Sequence, residues 1–391
     1  MTSSHLTLSE LLAKPRRKTI GLMSGTSMDG LDIALCDVEI GTGQLQNLAS
    51  QTADYPAALQ SALVRVVESG SAKLTELVAL SAAWGDFATK ATEQFLSERH
   101  LKPQDVDLIG SHGQTVAHLA DPLEIAGGAY RGSLQIGDAE IVAKRLGIVT
   151  VSDFRSGDLA VGGSGAPLTP IYHQQRFAVG DRIRLVVNIG GIANVTLLEG
   201  LDKCLATDTG PGNCLIDYLT QHHLNQPYDE SGEEAATGTI DQELSSRLQE
   251  DKLFKRPLPC SFDRAEVLHL AERVGLLNPA DPATLASRIA TVTELTAWSI
   301  HRQTQRLSES APTEVLVCGG GFRNRTLMKH LRNYFADSIV TGTDKFGSDP
   351  DFVEAECFAW LANLTIEGRA GNLPQVTGAD RAVVLGKISL P

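Results

Sequence analysis

The sequence predicts an α/β protein of 391 residues built from two similar halves. Three observations support this fold class. Strand-like runs alternate with segments of helical periodicity, which is typical of layered α/β domains. Each half opens with a glycine-rich turn between two apolar, strand-like runs. The chain is also too long for one ordinary hydrophobic core, so two domains are expected.

The first half opens with a predicted hairpin. Apolar runs at 19–23 and 31–38 flank the turn residues 24–30, and turn residues between two such runs are typical of a hairpin. We predict that residues 1–17 are a loose leader. The elements predicted after the hairpin are helices at 57–68 and 74–98, a strand at 106–110, a helix at 139–146 and a strand at 148–151.

The second half repeats this plan in its pattern, without sequence identity. Runs at 184–188 and 195–198 flank a second glycine turn. The other predicted elements are strands at 203–207 and 314–318 and helices at 213–222, 285–308, 324–335 and 353–364. We predict that residues 1–150 form domain I, with residues 375–391 packing back onto it, and that residues 151–374 form domain II.

Composition and charge exclude several classes of protein. The net charge of −13 and the lack of a dense basic cluster argue against a nucleic-acid partner. No apolar run has membrane-spanning length, and the N-terminus does not have the pattern of a secretory signal. The six cysteines are scattered without C-x-x-C spacing, which indicates neither a zinc site nor a disulfide framework. A cytoplasmic protein is expected.

Three glycine-rich turns can hold an anion. They lie at 24–30, 190–194 and 319–324, where little side-chain bulk blocks access to the backbone N–H groups. One such turn is usually only a turn, but three at matching places predict a ligand with several phosphates. The sequence has no P-loop, dinucleotide or protein-kinase motif, so those classes of nucleotide-binding protein are not expected.

Asp208 is the main candidate for catalysis. It follows an apolar strand and precedes a Gly-Pro-Gly turn, and a carboxylate at a strand end is well placed to act as a general base. Asp is also common as a cap of turns and helices. The residues alone leave both roles open.

Several other polar residues have two interpretations. His112, Gln114 and Thr115 follow a short strand and could contact a sugar, or could form a strand-end turn with satisfied hydrogen bonds. Arg155 could bind a carboxylate, or could form a structural ion pair with the nearby Asp153. His222, His223 and Cys260 are assigned no role.

An ordered set of motifs resembles those of the anhydro-N-acetylmuramic acid kinases, which belong to the superfamily of actin, hexokinase and the heat-shock ATPases. The resemblance covers residues 19–386. The matching strings are IGLMSGTSMDGLD (20–32), SHGQTV (111–116), VSDFR (151–155), GAPL (165–168), VNIGGIAN (187–194), DTGPGN (208–213) and VCGGG (317–321).

The resemblance implies two duplicated actin-like (ribonuclease-H-like) domains flanking a nucleotide cleft, with ATP and Mg²⁺ as cofactors and a homodimer as the expected assembly. Nucleotide contacts are assigned to Gly25, Thr26, Ser27, Met28, Asp29, Gly30, Leu31, Asp32, Asn188, Gly190, Gly191, Gly319, Gly320 and Gly321. Sugar contacts are assigned to His112, Gln114, Thr115, Asp153, Arg155 and Asn194, and the catalytic role to Asp208. No side chain is assigned as a direct metal ligand.

The implied reaction combines hydrolysis and phosphoryl transfer on a sugar whose O1 and O6 form an internal bridge. Asp208 would deprotonate a water that attacks the anomeric carbon, and the released O6 would accept the γ-phosphate of ATP. The product would be N-acetylmuramic acid 6-phosphate, in peptidoglycan recycling. The partners would be small molecules, with neither nucleic acid nor membrane.

The sequence departs from the family pattern at residues 259–264. Lys-Ser-Thr-Gly-Arg-Glu is expected there, and this chain has PCSFDR. A kinase for another anhydrosugar or hexose therefore stays open as an alternative. An actin-like ATPase switch is a further alternative, although the chain has no obvious appended partner-binding domain.

Overall fold

The computed structural model describes residues 7–25, 28–277 and 281–391, except for the side chains of Ala120 and Pro282. The strands are β1 Arg16–Ser24, β2 Gly30–Glu39, β3 Leu45–Asp54, β4 Leu108–Ile125, β5 Gly128–Ile136, β6 Val149–Ser152, β7 Ile183–Ile189, β8 Ile192–Glu199, β9 Lys203–Pro211, β10 Glu314–Cys318, β11 Ile339–Gly342 and β12 Lys387–Ser389.

The α-helices are α1 Leu8–Ala13, α2 Ala57–Ser69, α3 Leu74–Ser97, α4 Ala139–Leu146, α5 Phe154–Leu159, α6 Thr169–Phe177, α7 Cys214–Leu224, α8 Glu233–Thr237, α9 Gln242–Gln249, α10 Arg264–Arg273, α11 Pro282–Leu307, α12 Arg325–Tyr334, α13 Val353–Glu367 and α14 Pro374–Thr377. Among the described residues, none of these helices combines the length and apolarity that crossing a bilayer requires.

The chain forms two compact units whose limits differ from the predicted domains. The first contains the chain up to Arg176 together with Phe352–Pro391, and the second contains Phe177–Asp351. Residues 151–176 and 352–374, which were predicted in domain II, therefore belong to the first unit. The physical reason is strand and helix packing: β6 pairs with both β4 and β12, and α13 packs on β1 and β4.

The sheet of the first unit begins with an antiparallel meander, β1-β2-β3. β4 then joins β1 in parallel, and β6 joins β4 in parallel. The strand order is β12-β6-β4-β1-β2-β3, and β5 pairs with the long outer part of β4.

The sheet of the second unit has the same topology. β7-β8-β9 is an antiparallel meander, β10 joins β7 in parallel, and β11 joins β10 in parallel. The order β11-β10-β7-β8-β9 repeats the core of the first sheet strand for strand. The predicted fold class, a duplicated α/β domain of ribonuclease-H-like topology, is confirmed.

Close approach of α13 to the first sheet depends on two glycines. Gly21 and Gly110 lie side by side in β1 and β4. A Cβ at Gly21 would lie 1.8 Å from the carbonyl oxygen of Ala355, and a Cβ at Gly110 would lie 2.1 Å from that of Phe358. Only glycine lets the helix backbone come so near. The helix is consequently buried on almost every side.

Two local predictions are wrong, and the strand β3 is missed. The expected loose leader contains α1 and the start of β1. β3 is not predicted because it is a polar strand whose side chains are half-exposed. β4 continues to Ile125, well past the predicted end at residue 110, because β5 supplies hydrogen-bonding partners that the polar sequence does not reveal.

Candidate active site

Buried polar side chains hold the turn that follows β1. The Ser24 hydroxyl donates to the carbonyl of Gly113 at 2.9 Å, and the Gln114 amide donates to the carbonyl of Gly25 at 3.1 Å. The Tyr55 hydroxyl donates to Gln114 Oε1 at 3.2 Å. Burial raises the pKa of Tyr55 to about 12, so the phenol keeps the proton that it donates.

The far end of the same turn is held by β3 and α2. The Thr52 hydroxyl donates to Asp32 Oδ1 at 2.6 Å, and the Gln60 amide donates to the carbonyl of Met28 at 3.1 Å. Both flanks of the turn are therefore fixed by side chains from other elements. Thr26 and Ser27 lie outside the described residues.

The predicted nucleotide residues of this turn differ in their exposure. Asp29 is exposed and Asp32 is partly exposed. Met28 and Leu31 are buried in the hydrophobic core of the first unit, and Gly30 is buried in β2. Met28 and Leu31 could thus reach a ligand only through their backbone.

His112 and Arg155 form a buried pair. His112 Nδ1 lies 2.8 Å from the carbonyl of Gly113, so this nitrogen carries the ring proton. His112 Nε2 then accepts from the Arg155 guanidinium at 2.9 Å, and Arg155 also donates to the carbonyl of Gly165 at 2.8 Å. Burial and the charge of Arg155 lower the pKa of His112 to about 3, so the imidazole is neutral.

Asp153 does not form the alternative ion pair with Arg155. Its carboxylate accepts from the Ser156 hydroxyl at 2.6 Å and pairs with the Lys387 ammonium at 2.5 Å. Thr115, the remaining predicted sugar residue of this unit, accepts at its hydroxyl from the Gln135 amide at 3.1 Å. His112, Gln114 and Thr115 all lie within β4 and not in a strand-end turn.

Three polar residues form a row across the second sheet. The register places Asn188 of β7 opposite Asn194 of β8, and Asn194 opposite Asp208 of β9. Directly opposite residues of antiparallel strands point to the same face of a sheet. All three are partly exposed, and within the described part of the chain neither asparagine side chain forms a hydrogen bond.

The Asp208 carboxylate is anchored by one backbone group. Its Oδ2 accepts from the Phe262 N–H at 3.0 Å, and the Asp208 N–H donates to the carbonyl of Cys260 at 3.1 Å. Burial raises the pKa of Asp208 to about 6, and the Phe262 N–H partly opposes this shift. Asp208 lies inside β9 and does not cap the following helix α7.

The turn between β7 and β8 packs against the start of α7. The Asn213 N–H donates to the carbonyl of Gly190 at 2.8 Å, and the Gly212 N–H donates to that of Gly191 at 2.9 Å. A Cβ added at Gly191 would meet nothing within 4 Å. One side of this turn is therefore fixed, and its outer side is open to a ligand.

The third glycine turn lies directly beside Asn188. Gly319 has a φ of +80°, and a Cβ on it would lie 2.5 Å from Asn188 Oδ1. Gly321 packs on Ile189, and a Cβ at Gly320 would have Asn213 Nδ2 as its neighbour, at 4.0 Å. The structure thus places the third glycine turn beside Asn188.

Comparison with known sequences identifies the family. The family model described as anhydro-N-acetylmuramic acid kinase matches residues 17–391.

The chain belongs to the anhydro-N-acetylmuramic acid kinase family.

Relatives of the same name support this assignment. The anhydro-N-acetylmuramic acid kinase of Pasteurella multocida is 38% identical over 94% of this chain and 96% of its own. That of Shewanella pealeana is 40% identical over 94% of this chain and 97% of its own. Family membership makes the protein a kinase and hence a transferase.

A solved structure, the activator of the 2-hydroxyisocaproyl-CoA dehydratase from Clostridium difficile with bound ADPNP, is 15% identical, with a TM-score of 0.44 over 90% of this chain and 96% of its own.

The segment that departs from the kinase family pattern contacts Asp208 directly. Besides the Phe262 N–H, the Cys260 N–H donates to the Thr207 hydroxyl at 3.0 Å. Phe262 is buried in an aromatic group with Phe254. Cys260 therefore has a structural role that the sequence prediction missed. No motif in the sequence signals it, because the contacts come from backbone atoms.

Within the described residues, no group of three or more His, Cys, Asp or Glu side chains converges in a way that could hold a metal ion. Mg²⁺ usually keeps several waters and takes ligands from substrate phosphates, so this finding is compatible with a metal that arrives with the nucleotide.

Proposed function

We propose that this protein is an ATP-dependent kinase of 1,6-anhydro-N-acetylmuramic acid. It opens the 1,6-anhydro bridge and phosphorylates O6, giving N-acetylmuramic acid 6-phosphate and ADP. The family match over residues 17–391 supports the substrate class. The observation that carries the chemistry is Asp208, a partly exposed carboxylate whose pKa is raised to about 6 by burial.

Asp208 is suited to act as a general base. A base works best when its pKa lies near the operating pH, because it must be ionised and still bind a proton well. With a pKa of about 6, Asp208 is mostly ionised at neutral pH and more basic than an ordinary aspartate. It would take a proton from water as that water attacks the anomeric carbon, and the bridge C1–O6 bond would break.

The leaving O6 needs either a proton or another electrophile. Glycosidases ordinarily supply a second carboxyl group as the acid. Here we propose that the γ-phosphate captures O6 as the bond to C1 breaks, so that no separate acid is required. Ring opening then depends on ATP. Alignment and neutralisation of phosphate charge are the main requirements of such a transfer.

The sugar contacts are assigned to His112, Gln114, Thr115, Asp153, Arg155 and Asn194. A guanidinium suits the lactyl carboxylate of the substrate, and Arg155 is positioned by the neutral His112 without being neutralised by it. Asn194 lies beside Asp208 and offers an amide that protein groups leave unbonded within the described residues.

The nucleotide contacts are assigned to the three glycine turns. The first turn contributes Gly25–Asp32, of which Thr26 and Ser27 lie outside the described residues. The second contributes Asn188, Gly190 and Gly191, and the third contributes Gly319 to Gly321. The open space at Gly191 supports backbone contact with phosphates or ribose. Mg²⁺ would neutralise phosphate charge, and Asp29 and Asp32 offer the carboxylate oxygens that it prefers, through water.

We extend the proposal to the biological setting. The protein would act in the cytoplasm in peptidoglycan recycling, as a homodimer, with small molecules as its substrates. The acidic net charge of −13 supports the absence of a nucleic-acid partner.

The test is ADP formation by the purified protein with Mg²⁺ and 1,6-anhydro-N-acetylmuramic acid, run in H₂¹⁸O. We expect sugar-dependent ADP formation, with ¹⁸O at the anomeric carbon and none in the phosphate ester. Omission of ATP should abolish ring opening. Ring opening at the same rate without ATP would refute the coupled mechanism. ADP formation that is independent of any sugar would favour an ATPase switch, and turnover of other hexoses alone would favour the alternative substrate class.

A further inference from the structure

A pocket of about 490 Å³ lies within the second unit, on the outer side of α11. Trp298, Arg302 and Arg306 line it from α11, spaced four residues apart, so that they share one face of the helix. Phe254 and Lys255, in the short 3-10 turn Lys252–Lys255, also line it. Volumes from 300 to 1,000 Å³ are about the usual size of small-molecule sites.

The pocket concentrates positive charge in an acidic protein. Three cationic side chains, Lys255, Arg302 and Arg306, line it together with one carboxylate, Glu250. Within the described residues, neither Lys255 nor Arg302 forms an ion pair or side-chain hydrogen bond. Such a local excess of about two positive charges is available to an anionic ligand.

Arg306 is fixed in place without being neutralised. Its guanidinium donates to the carbonyls of Phe254 at 2.9 Å and Arg256 at 2.6 Å, and to Gln303 Oε1 at 2.7 Å. All three acceptors are uncharged. The arginine therefore joins the 3-10 turn to α11 and still contributes its full charge to the pocket.

An aromatic surface lies beside these cations. Trp298 is partly exposed, whereas Trp84 and Trp360 are buried with exposures of 0% and 3%. The rings of Trp298 and Phe254 are nearly perpendicular, with their centroids 5.2 Å apart, and the centroids of Phe254 and Phe262 are 5.9 Å apart. The partly exposed indole therefore offers aromatic surface on which a flat ring can stack.

We propose that this pocket is a second ligand site of the protein, for a small phosphate monoester that carries a planar ring. A phosphate monoester has a charge of about −1.5 to −2 at neutral pH, which matches the local excess better than a single carboxylate does. The ring would stack on Trp298, and the phosphate would bond Arg302 and Lys255.

The site also has a physical connection to Asp208. Phe254 forms its wall, and the neighbour of Phe254, Phe262, supplies the N–H that bonds the Asp208 carboxylate. Phe254 Cε1 would lie 2.7 Å from a Cβ at Gly210, two residues beyond Asp208. Any ligand that shifts Phe254 therefore acts on groups in contact with Asp208.

Phenyl phosphate is the probe, and Trp298 is the reporter. We expect saturable quenching of tryptophan fluorescence, with inorganic phosphate and phenol each binding more weakly than phenyl phosphate. Arg302→Gln and Lys255→Gln should each raise the Kd about tenfold, because each removes a charge-assisted hydrogen bond. Arg332→Gln is the matched control, since Arg332 is exposed on α12 and does not line the pocket.

Calorimetry with Trp298→Phe separates binding from its optical signal. Heat of binding should persist in this variant, because phenylalanine keeps a ring for stacking, while the quenching should be lost. A lack of saturation up to about 10 mM phenyl phosphate would overturn the proposal. So would an equal Kd in wild type, Arg302→Gln and Lys255→Gln. None of these results depends on the sugar kinase activity, so this proposal can fail or succeed independently of it.

Discussion

The two units share one topology, but the polar side chains near their glycine turns differ in burial and in hydrogen bonding. In the first unit, Gln114 and His112 are buried and bonded to protein groups on more than one side. In the second, Asn188, Asn194 and Asp208 stand partly exposed in a row, and only the Asp208 carboxylate has a hydrogen bond to a described residue.

This difference indicates a division of tasks on a duplicated scaffold. A satisfied buried network holds its backbone rigidly, which suits the positioning of a ligand. Polar groups that protein leaves unbonded are available to a substrate, at some expense in stability. The same strand order therefore supports positioning in one unit and chemistry in the other, and this contrast can be tested by substitution.

The largest expected effect belongs to Asp208→Asn. Loss of a general base lowers the rate by about 10²–10⁴-fold, so kcat for sugar-dependent ADP formation should fall by that factor. The variant should nevertheless fold, because Asn Oδ1 can still accept the Phe262 N–H.

The same variant should be more stable than wild type at neutral pH. The pKa of Asp208 is about 6 in the folded protein against an ordinary 3.8, so the folded state holds a proton that the unfolded state releases between these values. Stability is therefore lost as pH rises through this window, by about 2–3 kcal/mol in total. Urea unfolding at pH 7.5 checks this, and a less stable Asp208→Asn would contradict the stated contrast.

Gln114→Leu should have the next largest effect, in the first unit. It removes the acceptor of the buried Tyr55 O–H and one donor to the Gly25 carbonyl, which costs about 1–3 kcal/mol of unfolding free energy. Because Gly25 begins the proposed phosphate turn, the KM for ATP should rise more than kcat falls. Gln94→Leu is the control, since Gln94 is exposed and, among the described residues, its side chain bonds only Glu98. An unchanged KM for ATP would show that this hydrogen-bond network does not contribute to nucleotide binding.

His112→Gln tests the opposite pH dependence of the first unit. The pKa of His112 is about 3 in the folded protein against an ordinary 6.5, so only the unfolded state takes up a proton as pH falls. Wild type should lose about 1.4 kcal/mol per pH unit from this group below pH 6.5. His112→Gln should lack this loss in urea titrations between pH 7.5 and 5.5. The control Gln94→Leu, at an exposed position, leaves every histidine in place and should follow wild type.

Thr207→Val should give the smallest effect. The hydroxyl accepts from the Cys260 N–H at 3.0 Å, and its loss should loosen the segment that covers Asp208. Better hydration of the carboxylate would lower its pKa, so the acid limb of kcat/KM should move down by about one pH unit. Thr207→Ser keeps the hydroxyl and should keep the wild-type profile. A purely structural role of Thr207 would lower stability without moving this limb.

Much of the scaffold could be predicted from the sequence. Gly25, Gly190 and Gly319 all lie in or beside turns at strand ends, as expected from their local pattern. The helix at 139–146 and the strand at 314–318 have the predicted bounds, because their apolar periodicity is strong and short-range. Polar strands such as β3 could not be predicted, because their strand conformation depends on pairing with a neighbouring strand.

By itself, the sequence determined the duplicated α/β plan, the three glycine turns and Asp208 as the main candidate for catalysis. These follow from residue type and spacing over a few positions. Only the tertiary structure decided which groups surround that carboxylate and which way each pKa moves. Asp208 accepts a hydrogen bond from Phe262, which is 54 residues away in the sequence, and His112 accepts one from Arg155, which is 43 residues away. Contacts over such separations depend on the packing of whole elements, and burial, which sets both pKa shifts, exists only once that packing has formed.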